Sequence, residues 1–541
     1  MTASIRVFSA ARIVTMNPSI PTATHVAVRE GRILGVGTAD EMAAFGPATL
    51  DARFAGKVIL PGFVEGHAHA AEGLMWRNCY VGYFDRVAPD GTLWTGLKSI
   101  AEVVGRLREA LAALPEDAPL LAWGFDPIYF DGARMSVADL DPLTADRMIV
   151  VSHASGHIIN VNSLVLRRAG FSRDDNIDGL VRDDAGGLTG ELLGPPVMSR
   201  ASRVAGGGGL LRPLDARGLR DYAAAARRVG VTTATDLVNA LTPEIVELLR
   251  AVTAEPGFPL RLVPALAARE YSPEAGAARL LALRPTSTDK LRFGIVKLVV
   301  DGSIQGFTAR LRWPFYHNGA PNGLWYVAPA ELGAIMQTYH NAGLQMHIHT
   351  NGDEASDLAT EMIGRVLEAH PRPDHRHTLQ HCQMADAAIF RRMAAQGMCV
   401  NLFANHLYYW GEQHAALTMG PTRARGLDAC ATALREGVRL AIHSDAPVTP
   451  LGPLFTAWCA VNRISARGRV LGPDERISVA EALHAVTLGA AYTLKLDHLV
   501  GSIAVGKFAD FAVLDDDPFT VAPEALRDIA VHATVVGGET A

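Results

Sequence analysis

Cysteine is scarce in this sequence and never paired as CxxC: Cys79, Cys382, Cys399, Cys430 and Cys459 are scattered over 541 residues. That scatter excludes a disulfide framework and a thiolate zinc site, and it fits a reducing compartment. Basic charge is not in excess, and the formal net charge is −6. Neither nucleic acid nor a membrane surface is therefore expected as a partner. No apolar run approaches the length of a membrane span, and no charged segment leads into an apolar one at the N-terminus. The expected location is cytoplasmic. Gly206–Gly209 is a run of four glycines with no Lys-Ser/Thr after it, which excludes a P-loop and leaves a mobile loop as the expectation. Internal repeats and low-complexity tracts are missing as well.

What is present is ample core material: 49 % of the residues are hydrophobic and 20 % are charged. The fold class expected is α/β, a (β/α)8 TIM barrel with a small β-sandwich formed by both chain ends and a large insertion after strand 1. Residues 1–57 read as short strands with turns, Arg29-Glu30-Gly31 marking a hairpin, and 501–515 and 532–536 read the same way. Two β-rich ends alone would leave open edges, so 1–57 and 487–541 are expected to meet as one sandwich. The centre, 58–486, alternates strand-like and helix-like stretches. Barrel strands are expected at 58–66, 231–236, 260–264, 294–300, 344–349, 377–381, 398–402 and 439–445. The insertion, 70–225, carries its own strands at 120–124 and 148–152.

Polar residues interrupt or end these apolar runs where a barrel keeps its active site. His67 and His69 close the first strand, and residues i and i+2 of a strand share a face. Lys297 sits inside Val296-Lys297-Leu298-Val299-Val300; His349, His381 and Asp445 end the fifth, sixth and eighth strands. A buried lysine here could pair with a carboxylate, act as a base of low pKa, or add CO2 and bridge two metals. Histidines with a carboxylate and an open position form a catalytic rather than a structural metal site. His347 shares a face with His349 and is read as a packed core histidine.

The ordered motifs are Pro61-Gly62-Phe63-Val64-Glu65-Gly66-His67-Ala68-His69, Val296-Lys297-Leu298-Val299-Val300-Asp301-Gly302-Ser303, His349-Thr350-Asn351-Gly352-Asp353, Gln380-His381-Cys382-Gln383 and Ser444-Asp445-Ala446-Pro447-Val448. Ser155-Gly156-His157, Val161-Asn162-Ser163 and Gly501–Asp510 join them. Together they resemble the amidohydrolase superfamily, specifically its YtcJ-like (amidohydrolase-3 type) branch, over essentially the whole chain. The resemblance implies a metal-dependent hydrolase whose metal-site residues are His67, His69, Lys297 (carbamylated), His349, His381 and Asp445. It also implies that His157 reaches in from the insertion to polarise the substrate carbonyl. The chain departs from the family pattern at Glu65 and Ser155, where aspartate is common. It also departs at Asp301–Ala309, which lacks an arginine, and at His443, where a small residue is usual. None of these removes a ligand.

One or two divalent ions, Zn²⁺ first among them, are expected to lower the pKa of a bound water from 15.7 to roughly 7. Asp445 is expected to take its proton and pass it to a leaving nitrogen. Trp76, Phe125, Phe307, Tyr408 and Trp410 lie on insertion or loop segments and are expected to touch a hydrophobic or aryl small-molecule substrate. The reaction expected is hydrolysis of a C–N bond in an amide, N-substituted formamide or carbamate, with a homodimer as the assembly. Alternatives are an ester or lactone hydrolase on the same site and a non-catalytic metabolite-binding regulatory protein.

Overall fold

The computed structural model describes residues 4–130, 133–206 and 214–540; Gly207–Gly209 of the four-glycine run lie outside the described residues. Eight parallel strands form the central sheet in chain order: β1 (Phe63–Glu65), β2 (Val231–Asn239), β3 (Arg261–Ala267), β4 (Ile295–Val299), β5 (Gln345–Thr350), β6 (Thr378–His381), β7 (Cys399–Leu402) and β8 (Arg439–Ile442). Neighbours pair in register, for example Lys297 opposite His347 and His349 opposite Gln380. β1 and β8 share no continuous ladder. Just past their ends Ala68 bridges Ala446: His69 N–H donates to Ala446 O at 2.8 Å and Asp445 N–H donates to His67 O at 3.1 Å. The ring is thus closed at the rim that carries the histidines.

Helices between the strands begin where their sequences supply caps. Asp215, Thr242, Ser272, Asp386 and Ser478 each accept a backbone N–H of the first turn, and Pro243, Pro273 and Pro329 stand at first helical positions, where a missing N–H costs nothing. Their apolar faces and the strands share one core, including Phe63, Leu262, Val296, Ile348, Leu379 and Val400.

The chain ends meet as one hydrogen-bonded eight-stranded sheet, in which Val58–Pro61 runs between Ile5–Val14 and Phe511–Leu514. The expected first strand at 58–66 is therefore two strands. Val58–Pro61 belongs to the terminal sheet and Phe63–Glu65 to the barrel, so the boundary at 57 moves past Pro61. Gly62 makes the crossing: a Cβ there would stand 2.1 Å from Thr232 Oγ1, so only glycine fits. The boundary at 487 moves too. Ala490, Ala491 and Leu494 pack with Val64, Val263, Ile295 and Ala441, plugging the barrel floor. Of 501–515, only Phe511–Leu514 is a strand.

Within the insertion, six strands form a separate sheet from Cys79–Tyr80 to Leu188–Leu193. Ile149–His153 and Ile158–Val161 are antiparallel neighbours in it, and the turn joining them carries His157. No helix among the described residues is long and apolar enough to cross a membrane.

Candidate metal centre

β1, β4, β5, β6 and β8 deliver six side chains to one cavity of about 130 Å³, and the insertion adds a seventh: His67, His69, Lys297, His349, His381, Asp445 and His157 all line it. His67 Nε2 and His69 Nε2 lie 3.3 and 3.2 Å from Asp445 Oδ1, and His381 Nδ1 lies 3.7 Å from Asp445 Oδ2. Lys297 Nζ is 3.3 Å from His67 Nε2. The His349 ring stands 4.5 Å from His381 and 5.3 Å from His157. Two of these residues leave their strands with positive φ, His381 at 65° and Asp445 at 54°. That left-handed turn costs about 1–3 kcal/mol outside glycine and directs both side chains into the mouth.

Burial sets the charge states. It drives the imidazoles of His67, His349 and His381 well below their ordinary pKa, so their lone pairs are free of protons at neutral pH. The Lys297 ammonium is brought down to about 7 by the same cause. Burial raises the Asp445 carboxyl, while a hydrogen bond from His69 opposes the rise. Glu65, buried beneath them, is pushed up to about 8 and accepts from Ser444 Oγ at 2.7 Å and from His67 N at 3.2 Å. It ties β1 to the end of β8 where the ladder is missing.

These donors fit a divalent ion. His67 Nδ1 lies 2.8 Å from Gln380 Oε1, an amide oxygen that can only accept, so Nδ1 carries the hydrogen. His67 Nε2 then presents its lone pair 3.3 Å from Asp445 Oδ1 and 3.3 Å from Lys297 Nζ, with His69 Nε2 3.2 Å from the same carboxylate oxygen. Imidazole nitrogens, an amine and a carboxylate oxygen converging in one buried cavity are a donor set suited to a cation. His67, His69 and Asp445 hold donor atoms within 4.8 Å of one another, as do His67, His381 and His443. His443 lies nearly parallel to His67, with centroids 4.6 Å apart and planes at 17°. Nearly parallel rings send their lone pairs side by side rather than to one point, so His443 is left outside the ligand set.

The rest of the wall differs from expectation. None of Trp76, Phe125, Phe307, Tyr408 and Trp410 lines this cavity. Trp76 packs on Trp123, Phe125 on Phe130, Phe307 on Tyr316 and Tyr408 on Phe455, while the Trp410 indole N–H donates to Asp126 Oδ2 at 2.9 Å. Each is packed on neighbouring side chains in a cluster apart from the cavity that holds the histidines. Met75, Ile159, Met198, Val238 and Val448 form the wall instead. An adjoining chamber of about 720 Å³ shares Lys297, Val299, Arg269 and Tyr326 with the cavity and adds Tyr271 and Trp325. Tyr326, whose hydroxyl is 3.2 Å from His157 Nδ1, and Arg269 were not legible in the sequence: one sits in a loop and the other in the single 3-10 turn Ala268–Glu270, with no periodic or motif signal. Gln380 did have a signal, its place directly before His381.

Comparison with known proteins agrees with the geometry. The pattern of the Amidohydrolase family matches residues 49–541. The amidohydrolase YtcJ of Bacillus subtilis is 27 % identical, over 95 % of this chain and 95 % of its own. The N-substituted formamide deformylase of Arthrobacter pascens is 26 % identical, over 98 % of this chain and 96 % of its own. Among solved structures, an uncharacterised metal-dependent hydrolase from Pyrococcus horikoshii OT3 superposes with a TM-score of 0.71 at 18 % identity, covering 96 % of this chain and 99 % of that one. The chain belongs to the amidohydrolase family and is a hydrolytic enzyme of carbon–nitrogen bonds.

Proposed function

We propose that the chain cleaves the C–N bond of an amide, N-substituted formamide or carbamate carrying an apolar or aryl group. One or two divalent ions, zinc first among them, would be held by His67, His69, Lys297, His349, His381 and Asp445. The observation that carries this reading is the buried convergence on Asp445 Oδ1 of His67 Nε2 at 3.3 Å and His69 Nε2 at 3.2 Å, with the His67 lone pair turned inward by Gln380. Imidazole and carboxylate donors without sulfur suit zinc. Lys297, at about 7, offers at neutral pH the unprotonated amine that adds CO2 to become a carbamate. When bound, the ion supplies a water of lowered pKa and polarises the scissile carbonyl.

The chain's own groups do the rest. Asp445 takes a proton from the attacking water at a carboxylate oxygen and returns it to the leaving nitrogen. His157, kept neutral by burial, accepts the Tyr326 hydroxyl at Nδ1 and so presents Nε2–H to the developing oxyanion, a contribution of a few kcal/mol in comparable sites, roughly 2.7–4. The apolar wall and the adjoining chamber suit an aryl or alkyl substituent, and the deformylase relative supports the formamide arm of the proposal.

The test is a panel of aryl formamides, amides, carbamates and esters, assayed on chelator-stripped protein before and after zinc is restored. Zinc should restore turnover of a C–N substrate. Asp445→Asn should lower kcat by about 10²–10⁴-fold with metal content near that of the parent. Full activity in the stripped protein, or in Asp445→Asn, overturns the reading. Turnover of esters alone replaces it with ester or lactone hydrolysis.

A further inference from the structure

His347, paired opposite Lys297 on β5, lies one layer below the candidate ligands and is fully buried. Its Nε2 is 3.0 Å from the backbone carbonyl of Thr493, in the segment that plugs the barrel floor. A carbonyl only accepts, so Nε2 carries the hydrogen. The same oxygen accepts Gln345 Nε2 at 2.7 Å, and both its lone pairs are thereby used. A neutral imidazole carries a single ring hydrogen, so Nδ1 is left as an acceptor. That acceptor receives Gln380 Nε2 at 2.7 Å.

The direction of the Gln380 amide follows. Turned over, it would set its oxygen against the His347 lone pair. As it stands, Oε1 accepts His67 Nδ1–H at 2.8 Å and Asn401 Nδ2 at 3.0 Å. Each donor in the chain is matched to an acceptor that has no alternative role, from a main-chain carbonyl on the floor to the ring of His67 at the mouth. Metal-bound histidines depend on such partners for tautomer and ring orientation.

We propose that His347 and Gln380 are positioning residues: anchored on Thr493 O, they lock His67 as its Nδ1–H tautomer and hold the Nε2 lone pair toward the ion. The inference rests on the metal-dependent reading above. It gives His347 a place in the site without making it a ligand. It also explains why the floor layer of this barrel carries a histidine and two amides, Gln380 and Asn401, where apolar side chains would pack at no polar cost.

The experiment measures zinc affinity of the chelator-stripped protein by competition with a chromogenic chelator. It uses the parent, His347→Phe, Gln380→Met, the double variant and His347→Asn, each checked for folding by circular dichroism. His347→Phe and Gln380→Met should each weaken zinc about 10–100-fold. The double variant should be no weaker than the worse single, because both break one chain. His347→Asn keeps an amide oxygen near the Nδ1 position and should recover most of the loss. If His347→Phe does not fold, Gln380→Met and His347→Asn still decide the matter. Single-variant affinities within about threefold of the parent, or losses that multiply in the double variant, overturn the inference while leaving the metal reading intact. A parent that binds no zinc overturns the metal reading itself and this inference with it.

Discussion

A lysine within an apolar strand is hard to keep charged, and Lys297 illustrates the consequence. Burial takes it to about 7, and Asp445 opposes that shift only in part. If its amine adds CO2, the resulting carbamate is the bridging ligand, and Lys297→Ala should lose bound metal and turnover together. Formate or acetate should then restore part of both, as small carboxylates entering the space left behind; full metal content and activity in the unrescued variant would refute the bridging role. The same physics made the candidate ligands stand out in the sequence. His67, His69, Lys297, His349, His381 and Asp445 are polar residues at the ends or in the middle of apolar runs, and burying them needs a compensating partner. Substrate contact gave no comparable signal. Trp410, Tyr408 and Phe125 are as apolar in a cluster as in a pocket, and only the fold shows which rings each packs against. Glu65 in place of the family's aspartate becomes intelligible in the same way, because its carboxylate reaches Ser444 past the end of β8.

Elements two to eight of the barrel lay close to their expected positions because each is a short strand-like stretch set off by helical or turn sequence on either side. The first did not, because Val58–Leu60 and Phe63–Val64 read as one run although they serve two sheets. Likewise Gly501–Asp510 has strand-like composition, but Gly501 and Gly506 adopt φ of +82° and +86° and break it into turns. The joint between the terminal sheet and the barrel is fastened by a buried ion pair that no local pattern reveals. Arg261, on β3, holds Asp510 through Nε at 2.6 Å and Nη2 at 2.9 Å, with side-chain exposures of 7 % and 3 %. Asp510 also accepts Gly537 N–H at 2.8 Å, and the guanidinium lies 3.5 Å over the Phe508 ring. Arg261→Met or Asp510→Leu alone should destabilise by about 3–5 kcal/mol, since each strands a buried charge. The double replacement should cost clearly less than the sum. Denaturant unfolding of the four proteins measures this, and additive losses would mean that the pair does not fasten the joint.

Across the molecule, histidines are buried outside the candidate metal ligands as well, and burial keeps three of them, in three different regions, neutral. His153, in the insertion, has its pKa lowered to about 4 by burial; His347, on the barrel floor, and His414, beyond β7, are lowered to about 3. Unfolded, each would titrate near its ordinary value of about 6.5. As pH falls below that value the unfolded chain takes up protons that the folded one refuses, so stability drops. The loss from each group is complete only when the pH has passed its folded pKa, so the window runs from about 6.5 down to about 4 for His153 and lower for the others. His153 alone accounts for about 3 kcal/mol over that window. In thermal melts of chelator-stripped protein at pH 7.5, 6 and 5 the histidine contribution should therefore be steadily downward, with none from released metal. His153→Phe should start lower at pH 7.5, because Asn160 Oδ1, now 2.5 Å from His153 Nε2, loses its partner. Its melting temperature should nevertheless depend less on pH than that of the parent. Buried carboxyls work the other way, since Glu65 at about 8 and Asp126 and Asp301 at about 7 hold protons in the folded protein that the unfolded chain releases; a pH dependence in His153→Phe equal to that of the parent would therefore refute the histidine contribution.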